Sequence, residues 1–455
     1  QFKDVATTTL WPNVLTTVAE LGTTSFQTGI EVLGGWKIIS LFAIGFALLV
    51  SKKGKGHVFV FYSIPWLIAT FYAASTSLRF ALFLSMSSSI MLGVTLSLII
   101  KYLLAITEST IKINKYWSLV FSLGICALLM VPSFTAGYEV AHFRTPSMCD
   151  SWYNSLKVIE ADSEDAIITS WWDFGHWFYS ISNRRVTFDG GDQERRIHFV
   201  GRTLSTEDEQ EAINILRMLN CGQEGAYNYL LKQGYNEYDA YNKLMEIIHN
   251  PLPPEDEELA KLTHCEDVIP QYFIVSQDMV KKAGVWSHFG NWDFNKARMY
   301  NDVTIKGLTQ ENFVEKYDES PNTYYEIKNT EADQWISDWY GYFNQFYCSK
   351  VNETFDCGNF NYNTETKEHN ADNIYSIVYL EDGELVEDIL GPEGGASIIL
   401  TDGISYLVHP VLAKSMFTRL FFFDGAGLEH FIKFSDMETV NGERIIVYKV
   451  DFGGN

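Results

Sequence analysis

Basic residues are scarce in this chain: 34 Lys and Arg stand against 57 Asp and Glu over 455 residues, a net charge of -23. Nucleic-acid binders present a basic surface, so that class is excluded. The sequence has no Walker A loop, no GxSxG, no HExxH, no paired CxxC and no GxGxxG after a strand. The enzyme classes that depend on those local signatures are therefore unsupported. The ten histidines form no ligand cluster, and there are no internal repeats or low-complexity tracts. What is plentiful is apolar material, 47% hydrophobic and 15% aromatic. That excludes a disordered acidic tail protein and allows a large core in two or three domains.

Charge is scarcest at the front. Residues 1–136 contain nine Lys/Arg and only four acids (Asp4, Glu20, Glu31, Glu108), a net of +5; the remainder has 25 basic and 53 acidic residues, a net of -28. Four apolar runs occupy the front: Trp36–Val50, His57–Ala74, Phe80–Ile100 and Trp117–Tyr138. A spanning helix needs about 20 mostly apolar residues. Four such runs in succession, almost without charge, favour a membrane over buried helices of a large soluble core. Lys52, Lys53 and Lys55 join the first two runs, and Lys101, Lys112 and Lys115 lie between the last two. Basic loops stay in the cytoplasm. The expected order is an extracytoplasmic loop at 1–35, four transmembrane helices over 36–138, and an acidic domain outside the cytoplasm, lumenal in a cell with a secretory pathway. Arg79 sits at outer-leaflet depth, either snorkelling to the surface or facing an anion such as a lipid phosphate.

Beyond Tyr138 the pattern is globular and mixed α/β. Strands are expected at Ala166–Ser170, Arg185–Phe188 and Tyr272–Ser276, and helices at Gly175–Asn183, over 206–264 (capped by Ser205 or Thr206) and from about Gln277. Asp382-Gly383 and Asp402-Gly403 are hairpin signals in a β-rich portion over 366–455, which follows an α/β domain at 139–365. His409–Leu420 reads as a helix and Phe431–Phe434 and Arg444–Val450 as closing strands. Cys348 and Cys357 are the favoured disulfide; Cys149, Cys221 and Cys265 cannot be paired from sequence, and Cys126 lies in an apolar run. Asn352-Glu353-Thr354 is the only N-x-S/T sequon.

The most unusual string is Ser170-Trp171-Trp172-Asp173-Phe174-Gly175-His176-Trp177, at a strand-to-helix junction. Such junctions line crevices in α/β sheets. The string is either a core aromatic cluster with Asp173 as cap, or a pocket in which indole N–H groups and a carboxylate surround a small hydroxyl. Loss of that hydroxyl would then be costly, and hence selective.

This string resembles the WWDxG signature of oligosaccharyltransferase catalytic subunits, with Phe174 where Tyr is usual. Thr17-Val18-Ala19-Glu20 resembles the family's outer-loop motif, Leu78-Arg79-Phe80 its membrane arginine, and Ser415–Leu420 with Phe423-Asp424-Gly425 the archaeal members. The resemblance implies the C-terminal part of a polytopic, α-helical membrane domain of GT-C type, followed by the extracytoplasmic α/β domain. It also implies transfer of an oligosaccharide from a polyprenyl phosphate or diphosphate to Asn of N-x-S/T. Trp171, Trp172 and Asp173 would bind the acceptor hydroxyl. Glu20 would help to hold Mg²⁺ or Mn²⁺ and orient the acceptor amide, and Arg79 would neutralise the leaving phosphate. Asp278-Met279-Val280-Lys281 matches the first part of a second family motif, DxxK, although Val285 stands where Met or Ile is expected; an i,i+3 ion pair explains Asp278 and Lys281 equally well. No DxD occurs in the chain. The family's other metal ligands, with further membrane helices, are expected upstream of Gln1, so the segment alone is expected to be inactive. Asn352 is a candidate glycosylation site. The competing reading is a membrane-anchored protein that binds carbohydrate or peptide without catalysis.

Overall fold

The structure is a computed structural model that describes residues 10–14, 17, 18, 25–32, 35–51, 55–143, 146–250, 252–337, 341–370 and 372–453. They fall into two compact units, Val14–Pro146, and Gln1–Asn13 with Ser147–Asn455.

In the first unit a short helix, Phe26–Val32, precedes four apolar ones: Gly35–Ser51, Lys55–Thr76, Ala81–Ile106 and Lys115–His142. These coincide with the four apolar runs. Three segments, Gly56–Thr76, Leu78–Ile111 and Lys115–Glu139, are long and apolar enough to cross a membrane; Gly35–Val50 is shorter. A small cluster of Ile38, Phe42, Ala74, Leu84 and Met91 joins the helices. Contact is close where side chains are small: a Cβ on Gly45 would meet Thr95 Oγ1 at 2.2 Å, and Thr70 and Ser87 share a hydroxyl hydrogen bond of 2.9 Å. Small residues let helix backbones approach, as membrane packing requires. Large side chains such as Phe61, Leu128 and Phe134 point away from the bundle and stay exposed.

The second unit contains two sheets. The strands are β1 Ile167–Thr169, β2 Arg185–Val186, β3 Gln271–Ser276, β4 Phe343–Val351, β5 Thr354–Asp356, β6 Asn361–Asn363, β7 Ile374–Glu381, β8 Glu384–Ile389, β9 Ala396–Ile399, β10 Gly403–Val408, β11 Phe431–Glu438 and β12 Arg444–Val450. The first sheet has the order β11-β12-β3-β1-β2. β1 is parallel to both β2 and β3, while β12 is antiparallel to β3. Every residue of β3 is buried, which an apolar run covered on both faces requires. On one face Trp152, Leu156 and Ile159 of helix Asp150–Asp162, with Phe178, pack on Ile168, Tyr272, Ile274, Ile445 and Val447.

The second sheet, β6-β5-β4-β10-β9-β7-β8, runs straight through position 366. The β-rich portion therefore begins at Phe343 rather than 366, and its last hairpin, β11–β12, returns to the first sheet. The Asp382-Gly383 hairpin is present, with φ of 51° and 85°, as a tight turn demands. Two sequence expectations break on capping residues. The 206–264 stretch is four helices, and Asp208, not Ser205 or Thr206, caps the first by accepting from Gln210 N. The expected helix His409–Leu420 splits at Ser415, whose hydroxyl accepts from Thr418 N and starts a new helix, Met416–Phe422. Cys348–Cys357 is bonded as expected, and Cys221 pairs with Cys265.

Candidate functional site

Because β1, β2 and β3 run parallel, the loops leaving them emerge at one edge of the sheet. These are Ser170–Phe174 after β1, the Phe188–Asp192 turn after β2, and Gln277–Lys282 after β3. The carboxyl edge of a parallel sheet is where such folds place ligands.

Close contact between two of these loops explains the glycine of the motif. A Cβ on Gly175 would lie 2.7 Å from Phe188 O and 2.5 Å from Asp189 Cβ. Asp189 Oδ1 accepts from Gly191 N at 2.7 Å and Asp192 N at 3.1 Å, fixing the turn. Its other oxygen lies 3.3 Å from His176 Nδ1.

The two tryptophans part company. Trp171 is 2% exposed and lies against Phe188 and Phe289 at 6.2 and 6.0 Å, so its ring belongs to the core. Trp172 is half-buried, and its Nε1–H is shut off from water without an acceptor among the described residues. An unpaired buried donor is costly, and is tolerated where a ligand completes it. Beside it Asp173 Oδ2 lies 3.2 Å from Lys282 Nζ, which lies 2.9 Å from Asp278 Oδ2 and 4.8 Å from the centre of the Phe174 ring. Burial raises the Asp173 carboxyl above its ordinary range against the pull of Lys282. Burial also works against the Lys282 ammonium, but the two carboxylates prevail and raise it.

The structure thus brings Trp172, Asp173 and Asp278 together and adds Lys282, which the sequence reading missed. Lys281 is exposed and forms no ion pair among the described residues. The signal was available in the Lys281-Lys282 dipeptide: Asp278 and Lys282 are i,i+4 neighbours, which share a helical face. Arg79 lies in the first unit, exposed in the 3-10 turn Leu78–Phe80 between two apolar helices. Glu20 lies outside the described residues. Among the described residues no three His, Cys, Asp or Glu side chains converge as a metal site.

Residues 163–296 match the family model of the STT3/PglB/AglB core domain. All three strand-end loops, and every residue of the carboxylate–lysine cluster, lie inside that match. The chain is 32% identical over 215 residues to a dolichyl-phosphooligosaccharide-protein glycotransferase of Methanococcus voltae, covering 42% of this chain and 23% of that protein. It is 27% identical over 390 residues to the protein of the same name from Methanocaldococcus jannaschii, covering 66% of this chain and 41% of the relative. The chain therefore spans well under half the length of these relatives. Among solved structures, the Archaeoglobus fulgidus oligosaccharyltransferase tethered to an acceptor peptide is similar at a TM-score of 0.45 and 13% identity, over 93% of this chain and 41% of that one. With its apolar helices and this core domain, the protein is a membrane protein.

Proposed function

We propose that this chain is the catalytic-subunit portion of an oligosaccharyltransferase, which transfers a glycan from a polyprenyl phosphate or diphosphate carrier to Asn of N-x-S/T on the extracytoplasmic side of the membrane. The observation that carries the reading is the orphaned Trp172 Nε1–H beside the lysine-held Asp173 carboxylate, within the matched core domain. One donor and one acceptor are what a Ser or Thr hydroxyl needs: the indole donates to its oxygen and the carboxylate accepts its proton. Trp171, packed in the core against Phe188 and Phe289, precedes this pocket in the chain.

The acceptor amide is a poor nucleophile because its lone pair is delocalised. In the reaction a bond forms between that nitrogen and the glycan's anomeric carbon. The carbon–oxygen bond to the phosphate breaks, the phosphate leaves with the electron pair, and the amide loses a proton. Glu20 is proposed to orient the amide, and Arg79 to stabilise the departing phosphate. Mg²⁺ or Mn²⁺ is proposed as cofactor, with Glu20 as this chain's contribution to its ligands; the described residues alone do not assemble that site. Asp278 contributes by holding Lys282, and Lys281 is left as a surface cation available to the acceptor chain.

The test is transfer of a lipid-linked glycan to an N-x-T peptide by the full protein that contains this chain, with Trp172→Ala as control. A large loss with N-x-T acceptors supports the reading. Glycan binding that depends on Trp172 whatever the peptide, without transfer, would identify a binding protein instead. Asn352 is a proposed product of the same reaction. It is exposed at the tip of the β4–β5 hairpin with φ 53°. Intact-mass analysis of the native protein should show one glycan that Asn352→Gln removes.

A further inference from the structure

The loop after β2 supplies a wall beside Trp172. A Cβ on Gly190 would lie 3.6 Å from Trp172 Cζ3 and 3.4 Å from His176 Nε2, so the Asp189–Asp192 turn stands within contact range of the indole ring. Two adjacent glycines give this turn no side chains to pack, and Asp192 is exposed. What holds it is a buried arginine. Arg196, the first residue of helix Arg196–Ser205, is 5% exposed. Its Nη1 donates to Thr187 O at 2.9 Å, just before the turn, and its Nη2 donates to Asp192 Oδ1, at the turn's end. Its Nε donates to Glu224 Oε1 at 3.2 Å, which fastens the guanidinium to the start of helix Gly225–Lys232. Glu224 is itself 7% exposed and also accepts from Arg195 N at 3.1 Å. That second bond holds the backbone just after Glu194, whose φ of 40° is a left-handed conformation that costs a non-glycine residue free energy.

Local helix chemistry does not account for Arg196. The N-terminus of a helix carries partial positive charge, so a cation in the first turn is unfavourable there. A buried guanidinium also needs its donors paired and its charge balanced. Here the partners are the two ends of one turn and a carboxylate from another helix, and a planar fork of five donors can engage all three at once where an ammonium cannot. We propose that Arg196 is a positioning residue for the acceptor-hydroxyl pocket, fixing the Asp189–Asp192 turn against Trp172 through its bonds to Thr187 and Asp192. The inference rests on the transferase reading above. With the bond to Asp192 cut, the turn keeps only the bonds within it, from Gly191 N and Asp192 N to Asp189 Oδ1, and Gly190 is no longer pressed to the indole. A site that selects by hydrogen bonds to one hydroxyl loses selectivity when the groups that make them lose their support. The chemistry at the acceptor amide uses other groups, so the loss appears in peptide KM rather than in kcat.

The experiment uses the full protein that contains this chain, with lipid-linked glycan and N-x-T and N-x-V peptides. It measures kcat, peptide KM, the preference for N-x-T over N-x-V in competition, and the unfolding midpoint. Asp192→Ala removes the exposed end of the tie and leaves the buried guanidinium on Thr187 and Glu224, so the midpoint should stay at the wild-type value. The expected result is a KM for N-x-T raised about fivefold or more, a kcat within about twofold, and a preference reduced about fivefold or more. Arg196→Lys, which keeps the charge and loses the fork, should show the same loss of preference with a lower midpoint; a preference, unlike an activity, does not depend on the fraction of protein folded. In a Trp172→Phe background Asp192→Ala should reduce the preference little further, because two residues that act through one contact are not additive. Wild-type KM and preference in Asp192→Ala would overturn the proposal, as would a fall in kcat with KM unchanged. Full additivity with Trp172→Phe would overturn it too, since the turn would then act elsewhere than on the indole. A wild-type protein that transfers nothing to either peptide would overturn the transferase reading itself, and the role of Arg196 with it.

Discussion

Lys282 Nζ stands between two carboxylates, 3.2 Å from Asp173 and 2.9 Å from Asp278. Its charge pulls the half-buried Asp173 carboxyl down against the burial that raises it. Lys282→Met should therefore leave Asp173 protonated more of the time near neutral pH. On the transferase reading, KM for an N-x-T peptide should rise about tenfold at pH 7, roughly 1.4 kcal/mol, and recover as the pH is raised. Lys282→Arg, which keeps the charge, should behave much like wild type. Peptide KM measured across pH in the three proteins decides it; a pH-independent KM in Lys282→Met would remove Lys282 from this role.

Trp172→Phe separates function from stability. It deletes a buried N–H that has no partner among the described residues, so the folded state should lose no more than about 1 kcal/mol, the small loss of volume being offset by removal of an unsatisfied donor. Discrimination between N-x-T and N-x-V peptides should fall tenfold or more, because a hydroxyl-reading site loses its donor. Calorimetry and competition between the two peptides measure the two effects on one sample.

A pH effect on stability is expected from His198. Its Nδ1–H donates to Phe289 O at 2.7 Å, which fixes the tautomer and leaves Nε2 to accept from the Tyr241 hydroxyl at 3.2 Å. Burial pushes its pKa down to about 4. The unfolded chain takes up this proton near pH 6.5 and the folded chain only near 4. Its contribution is therefore whole above 6.5 and is lost as the pH falls through that window, by about 3 kcal/mol in total. Denaturant titrations between pH 7 and 4 should show a shallower decline in His198→Gln. Equal slopes would contradict the assignment.

The two disulfides should differ in worth. Cys221–Cys265 closes a separation of 44 residues and Cys348–Cys357 one of 9. In the chain-entropy account these are worth about 4 and about 3 kcal/mol. Cys221→Ser with Cys265→Ser should therefore lower the unfolding midpoint more than the pair at 348 and 357. The reverse order would point to local packing rather than chain entropy.

Much of this architecture was legible in residue patterns. Apolar runs located the helices of the first unit to within a few residues, because no other structure hides so many uncharged side chains. Asp382-Gly383 and the alternation on either side located a hairpin, since a tight turn needs left-handed residues. Long-range pairings were not legible. Nothing in β3 says that Ile445 and Val447 will cover its flank, and nothing in Cys221 says Cys265. At the site, Trp172, Asp173 and Asp278 were found in sequence but Lys282 was not, because choosing between adjacent lysines depends on where a one-turn helix begins. The different fates of Trp171 and Trp172, one in the core and one at the pocket, are a matter of backbone direction at the end of β1. Leu10 and Trp11, buried where the Leu10 carbonyl accepts from Trp292 Nε1 and the Trp11 indole donates to the Tyr227 hydroxyl, escaped notice because a burial partner two hundred residues or more away leaves no local trace.

The placement of β12 has a consequence for how the protein is made. Six of its residues, Ile445–Val450, pair with β3 along the whole length from Gln271 to Ser276, but they are synthesised long after it. Until they emerge, the strand that carries the Asp278–Lys282 turn has one unpaired edge, lined by apolar residues and open to any other strand nearby. The site can therefore be finished only late in synthesis, with β4 to β10 already assembled into a sheet of their own. A ribosome-bound chain arrested before Arg444 is thus a species with an open sheet and no completed pocket, and the cell must shelter it from aggregation in the meantime.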